Sequence, residues 1–307
     1  MSALWTPRYQ PAQTFSMAEH GFFGAFYPAS ETPFPEKCLI VLGGSSGSFS
    51  LTQRVAEHVV DAGFSALAIA YHGALGLPKF PLEQPVDVVE AAATYAKERL
   101  GYQQIGLWGI SMGGGLALLA GSLLPELVSC VVAVAPTALV MQGEIRKKPV
   151  AGSSFSFHGT ALPYASYVPA DGDAWYHAYR QASRLHQEPY SRDLLLAAYE
   201  ANTNPAAIIP VWNLAGPLLL LGGAQDGICP MPETCSVLLE RLNAHSFPHP
   251  VTQHLYPHLG HYILPFQPAG ATFLRAERTF PLECQRERTQ SWQDTLHFLR
   301  EIWNTPR

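Results

Sequence analysis

Residues Ile105-Gly-Leu-Trp-Gly-Ile-Ser-Met-Gly-Gly-Gly-Leu-Ala117 restrict the fold of this chain more than any other stretch. An apolar strand pattern runs straight into Gly109-x-Ser111-x-Gly113 and on into an apolar helix. Such a nucleophile elbow forces a serine onto a sharp strand-to-helix turn. Its Oγ then projects from the fold, and only residues without a side chain fit the two crowded flanks. The helix after Ser111 also points free backbone N–H groups at negative charge developing beside the serine.

Around the elbow, short apolar runs rich in β-branched residues alternate with helix-period segments. This predicts an α/β fold with a mostly parallel central sheet and helices on both faces. Cys38–Leu42, Ser65–Ala70, Cys130–Val134, Pro217–Leu221 and Val251–Tyr256 read as strands. A helix is expected from Ser50 to Gly63, with Gln53 at capping-box spacing, another from Pro85 to Leu100, and a third from about Pro232 to Ala244. A last helix carries Trp292, Leu296, Leu299 and Trp303 as a packing stripe. Between Met141 and Trp212 the rhythm breaks for about seventy residues, far above ordinary loop lengths. Residues 141–212 therefore read as an aromatic-rich helical cap inserted into a single domain spanning 1–307.

A chain of 307 residues can bury a sizeable core without disulfides or metals. Its five cysteines, Cys38, Cys130, Cys229, Cys235 and Cys284, are odd in number and widely spaced, which suits reduced core thiols and a cytoplasmic compartment. The start, Met1-Ser-Ala-Leu-Trp-Thr-Pro-Arg8, lacks the basic and apolar regions of a secretory signal, so none is expected. A net charge of −5 with interspersed signs gives no basic stripe, and nucleic acid is not an expected partner. The longest apolar stretch, Gly113 to Val140, holds Pro125, Glu126 and Pro136 and reads as a buried helix and strand, not a membrane span. Oligomeric state stays open, a homo-oligomer included.

A serine hydroxyl needs a base, and the base needs a carboxylate to hold its tautomer. In the α/β-hydrolase arrangement these follow in the order serine, acid, histidine, on loops after later strands. Asp226, in Gly222-Gly-Ala-Gln-Asp-Gly227, and His261, in Tyr256-Pro-His-Leu-Gly-His-Tyr262, fill those places. Asp-Gly is also a turn signal, and His258 is the nearest rival base. His258-x-x-His261 has no third ligand at metal spacing, so neither metal nor cofactor is expected. Cys229 reads as a buried neighbour of Asp226. The oxyanion needs two donors. These are the backbone N–H of Met112 and one from Gly43-Gly-Ser-Ser-Gly47, with Ser45 preferred and Gly44 the alternative. Gly44, Tyr71 and His72 are the expected substrate contacts.

With these residues in view, the chain resembles the C-terminal catalytic domain of acyl-CoA thioesterases and bile acid-CoA:amino acid N-acyltransferases. The stretch Ala66-Leu-Ala-Ile-Ala-Tyr-His-Gly-Ala-Leu-Gly-Leu-Pro-Lys79, then Pro81-Leu-Glu83, is the most telling. Gly106–Gly114, Ile209-Pro210 leading to Gly216–Leu220, and Gly260-His-Tyr-Ile263 join it. The resemblance implies hydrolysis of an acyl-CoA thioester through an acyl-serine. Carboxylesterase or dienelactone-hydrolase-like action on oxygen esters is the alternative, and a non-catalytic hydrolase-fold receptor the competing class. The acyltransferase branch looks to use cysteine where Ser111 stands, which favours hydrolysis over conjugation. Members of the family place a β-sandwich domain ahead of the hydrolase domain, whereas roughly 36 residues precede the first central strand here. Arg146, Lys147 and Lys148 are candidates to neutralise phosphates, with a solvated patch as the alternative.

Overall fold

The computed structural model describes residues 6–30 and 32–304; Met1–Trp5, most of the stretch read for a signal sequence, lie outside them. The central sheet has eight strands: β1 (Gln13–Phe15), β2 (Phe23–Tyr27), β3 (Lys37–Leu42), β4 (Ser65–Ala70), β5 (Gln104–Ile110), β6 (Val128–Val134), β7 (Leu218–Gly223) and β8 (Val251–Tyr256). Their spatial order is β1-β2-β4-β3-β5-β6-β7-β8. From β4 to β8 all pairings are parallel, while β2 runs antiparallel to β4 and to β1.

Alternation along each strand sends side chains to two cores. Cys38, Ile40 and Leu42 of β3 pack on one face with Val89 and Ala92 of α2 (Asp87–Glu98) and with Leu116 and Ala120 of α3 (Met112–Leu123). Leu39 and Val41 face the other side. There they meet Val55 and Val59 of α1 (Phe49–Asp61) and the C-terminal helix, whose Leu299 and Trp303 are buried as the stripe predicts. Coverage on both faces explains why these strands read as unbroken apolar runs.

Three local expectations differ from the structure. The helix expected from Ser50 begins at Phe49, with no side-chain cap at Ser48. Ser48 Oγ and Ser50 Oγ bond each other, and Gln53 Nε2 donates to Tyr27 Oη, so the capping box does not form. Pro85 does not open α2 but lies in a two-residue strand paired with Phe155–Phe157. The inserted segment is helical only in its second half, in α4 (Gly172–His186) and α5 (Arg192–Ala201). Its first half is a hairpin, Gln142–Ile145 against Lys148–Ser153, and the short strands Phe155–Phe157 and Thr160–Ala161. Tyr167, Trp175 and Tyr179 pack in series as the segment's own core, Trp175 tilted against Tyr167 at a centroid distance of 4.9 Å and stacked on Tyr179 at 5.6 Å. α6 (Met231–Ala244) and α7 (Pro281–Asn304) complete the layers. Among the described residues, no helix is long and apolar enough to cross a membrane.

Candidate active site

Ser111 sits between β5 and α3 at φ 59°, ψ −125°, a conformation that a side-chain-bearing residue adopts only under constraint. The constraint is backbone crowding. A Cβ on Gly109 would stand 1.9 Å from the Gly113 carbonyl oxygen, and one on Gly113 would stand 2.2 Å from that of Gly43. The Ser111 N–H donates to Val134 O of β6 at 2.8 Å, tying the turn to the sheet. Met112 opens α3, so its N–H is one of the donors a helix start leaves unpaired.

The Gly43–Gly47 loop lies against the elbow. A Cβ on Gly44 would meet Ser111 Cβ at 3.4 Å and Oγ at 3.9 Å, whereas Ser45 is exposed in the turn closed by Gly47 N–H to Gly44 O. Tyr71 and His72, expected to touch substrate, are buried and pack on this loop. Tyr71 Oη donates to Gly43 O at 2.6 Å, and the His72 ring packs on Gly47. Burial holds the His72 imidazole below its ordinary pKa, with a hydrogen bond to the Gly44 backbone acting the other way. Gln84, fully buried, donates to Met112 Sδ at 3.3 Å, a contact that its sequence position gave no signal for.

The two carboxylate oxygens of Asp226 have different partners. Oδ1 accepts the N–H groups of Ile228 and Cys229 at 2.8 and 2.9 Å, which is the turn. Oδ2 lies 2.8 Å from His261 Nδ1. The two meet because the loop after β8 crosses the end of β7: Gln225 N–H donates to Leu259 O, and a Cβ on Gly223 would stand 2.2 Å from that oxygen. His258 is turned away, its Nδ1 2.6 Å from Glu287 Oε1 on α7, so the rival base does not share Asp226. The His258-x-x-His261 pair is likewise not brought to one centre.

Burial alone would hold the His261 imidazole down. The Asp226 carboxylate, with the Cys229 sulfur beside the ring, pushes it well above the ordinary histidine value. Burial pushes the Cys229 thiol up as well. That Cys229 adjoins the His261 ring, and not Asp226 alone, was hidden in a sequence separation of thirty-two residues. The segment between β6 and β7 is anchored here too. Ser191 and Arg192, at the start of α5, donate their N–H groups to Gly227 O at 2.9 and 3.1 Å. Of the hairpin cations, Lys148 is paired with Asp173 and Lys147 lies 5.6 Å over the Tyr179 ring.

The fold agrees with solved structures of low identity. An alpha/beta hydrolase enzyme from a Medee basin deep-sea metagenome library superposes with TM-score 0.57 at 13% identity, covering 95% of this chain and 98% of that one. The Pyrococcus furiosus esterase Pf2001 does so with TM-score 0.56 at 15% identity, covering 99% and 96%. In sequence, the chain is 28% identical over 246 residues to acyl-coenzyme A thioesterase 2, mitochondrial, of Mus musculus, covering 78% of this chain and 47% of the relative. It is 26% identical to acyl-coenzyme A amino acid N-acyltransferase 2 of Rattus norvegicus, covering 78% and 51%. The chain thus spans about half the length of the curated relatives it matches. The sequence pattern described as BAAT / Acyl-CoA thioester hydrolase C terminal matches residues 86–304, which hold strands β5 to β8, the elbow and both loops that bear Asp226 and His261. The chain belongs to that family, and its architecture is the α/β-hydrolase fold.

Proposed function

We propose that this chain is a serine hydrolase of acyl thioesters, acyl-CoA above all, working through an acyl-Ser111 intermediate. The observation that carries the reading is the 2.8 Å contact of His261 Nδ1 with Asp226 Oδ2. It stands at the same sheet end as the Ser111 elbow, in a chain of the thioester hydrolase family. With Nδ1 bonded to the carboxylate, Nε2 is the free base. Ser111 Oγ attacks the thioester carbonyl carbon and passes its proton to Nε2. The oxyanion is met by the Met112 N–H and by the Gly44–Ser45 peptide, with Gly44 the part of the loop that packs on Ser111. Collapse breaks the C–S bond, and the thiolate takes the proton from Nε2. Water, activated by the freed base, then hydrolyses the serine ester.

An oxygen ester is the second reading. It is favoured by the hairpin, where Lys148 is paired with Asp173 and Lys147 lies over Tyr179, so these cations are already engaged within the cap. Acyl-CoA and p-nitrophenyl ester series of matched chain length, compared by kcat/KM in wild type and Ser111→Ala, separate the two. A preference for the CoA thioester that disappears in the variant supports the thioesterase. Equal or better ester turnover makes the chain an esterase, and a wild type that neither turns over substrate nor reacts with a fluorophosphonate would refute the serine mechanism.

A further inference from the structure

Among the described residues, one fully buried trio offers three different metal-ligating atoms at one point: an Asp226 carboxylate oxygen, the Cys229 Sγ and a His261 ring nitrogen, all within 4.8 Å of one another. They are 2, 3 and 5% exposed. A second trio, Asp87, Glu90 and His158, holds no cysteine and is partly exposed; there the His158 ring bonds Glu90 and its backbone N–H bonds Asp87. The buried trio differs in that Cys229 Sγ stands beside a histidine and a carboxylate that already face each other.

We infer that this trio is an inhibitory site for a thiophilic divalent cation such as Zn²⁺, seated between Asp226 and His261 and closed by Cys229. Zinc takes such a mixed set at about 2.0–2.2 Å from nitrogen or oxygen and about 2.3 Å from sulfur, which places the ligand atoms about 3.3–3.6 Å apart. The His261 Nδ1 to Asp226 Oδ2 distance of 2.8 Å needs only to widen slightly, and the sulfur to turn inward. The loop favours this. Asp226 Oδ1 is held by the Ile228 and Cys229 N–H groups, so residues 226–229 form one tight turn that brings carboxylate and thiol together beside the His261 ring.

Charge favours it as well. Starting from the imidazolium form, binding releases the Cys229 thiol proton and the Nδ1 proton of His261 to solvent, leaving a neutral imidazole that keeps its Nε2 proton. One carboxylate and one thiolate then neutralise the dication, so the buried site gains no net charge. The fourth position is left to water. Inhibition follows because His261 loses its bond to Asp226 and the metal competes for its electron density. This consequence, though not the binding itself, rests on the proposed role of Asp226 and His261 in hydrolysis.

The test is a titration of the full chain with Co²⁺, read by the thiolate-to-cobalt charge-transfer absorption, alongside Zn²⁺ inhibition of p-nitrophenyl ester hydrolysis. The expected result is a band that saturates at one equivalent in wild type and is absent from Cys229→Ala and Cys229→Ser. Inhibition should be reversed by a chelator, and both variants, each normalised to its own metal-free rate, should need more than about tenfold more Zn²⁺. Circular dichroism melts establish that the variants are folded, and the two substitutions guard against the failure of one. No band in wild type, or variants inhibited at the wild-type Zn²⁺ concentration, would overturn the site. A saturating band with turnover untouched would support the site and overturn instead the reading of Asp226 and His261 as working residues.

Discussion

Substituting Gly113 with alanine tests the claim that elbow and oxyanion loop are one packed unit. The new Cβ would lie 2.2 Å from Gly43 O and 2.6 Å from Leu42 O. A carbon-to-oxygen contact wants about 3.3 Å, so one backbone must retreat by about 1 Å, and neither neighbour is a side chain that can swing aside. Gly113 has ordinary helical backbone, so the cost is steric and not conformational. Overpacking of this kind costs about 1–3 kcal/mol of stability. The retreat also carries Gly44 and Ser45 away from Ser111. Oxyanion donors act at about 2.7–3.1 Å, and losing one lowers kcat by about 10²–10³. The control is Gly121→Ala on the same helix, where the Cβ would press on Leu214 Cδ2 and Val131 Cγ2 at 2.7 and 2.8 Å, side-chain atoms distant from the loop. Both variants should melt lower than wild type, but only Gly113→Ala should lose kcat on a p-nitrophenyl ester. A Gly113→Ala enzyme that is folded and retains kcat within about threefold would refute the packing argument, as would a Gly121→Ala enzyme equally impaired.

The remaining predictions concern charge and proton transfer. Because Asp226 raises His261 and the base must be neutral, kcat/KM should climb with pH through a value above the ordinary 6.5. Asp226→Asn should move that limb down, since burial is then unopposed, while lowering kcat; an unmoved limb in a pH–rate profile would deny the coupling. The same shift has the opposite sign for stability: a raised native pKa stabilises fully below the unfolded value of about 6.5 and is lost as pH rises through the native value. Melts of wild type and Asp226→Asn should therefore converge with rising pH over the window in which activity appears. Ser111→Ala should cut kcat by several orders of magnitude and leave the melting temperature nearly unchanged. Glu277 and Arg288, both 4% exposed, form a buried ion pair beneath α7. Glu277→Leu should cost about 3–5 kcal/mol in urea unfolding, and most of it should return in the Glu277→Leu, Arg288→Met double variant.

Where one short segment dictates its own structure, the sequence was readable. Strands β3 to β7 are apolar runs because both their faces are covered, and the edge strand Val251–Tyr256, largely exposed, still matches at both ends. Asp226 and His261 were legible because each follows such a strand by a few residues. Strands β1 and β2 were not: Gln13–Phe15 is too short to show a period, and Phe23-Gly-Ala-Phe-Tyr27 does not alternate, since both its faces are covered. The cap hairpin was hidden by its composition. Pro149 and Gly152 demote a strand, and its turn places Arg146 and Lys147 at positive φ where asparagine or glycine would have signalled a hairpin. The failed capping box is a tertiary override, since Gln53 reaches across to Tyr27 on β2.

The two halves of the site are held by different parts of the molecule. On the oxyanion side, Tyr71 fixes Gly43 and His72 packs under Gly47, both from the end of β4, so the donors are built on the sheet itself. On the acid side, the turn carrying Asp226 is capped from outside: α5 donates to Gly227 O, Ser191 Oγ donates to Ile228 O at 3.1 Å, and Arg192 pairs with Glu233. Glu188, which leads into α5, completes the clamp by accepting the Arg275 N–H at 2.6 Å while its other oxygen lies against Gly227. The inserted segment is tied to the other side too: Gln84 Nε2 donates both to its Ser154 O at 3.1 Å and to Met112 Sδ at 3.3 Å, and its Phe155 ring packs on Tyr71. Substitutions at Trp175 or Tyr179 should therefore be felt at the Asp226–His261 pair and at Met112 alike, which a pH–rate profile and kcat on a p-nitrophenyl ester would read separately; a variant that shifts one and spares the other would refute the double tie.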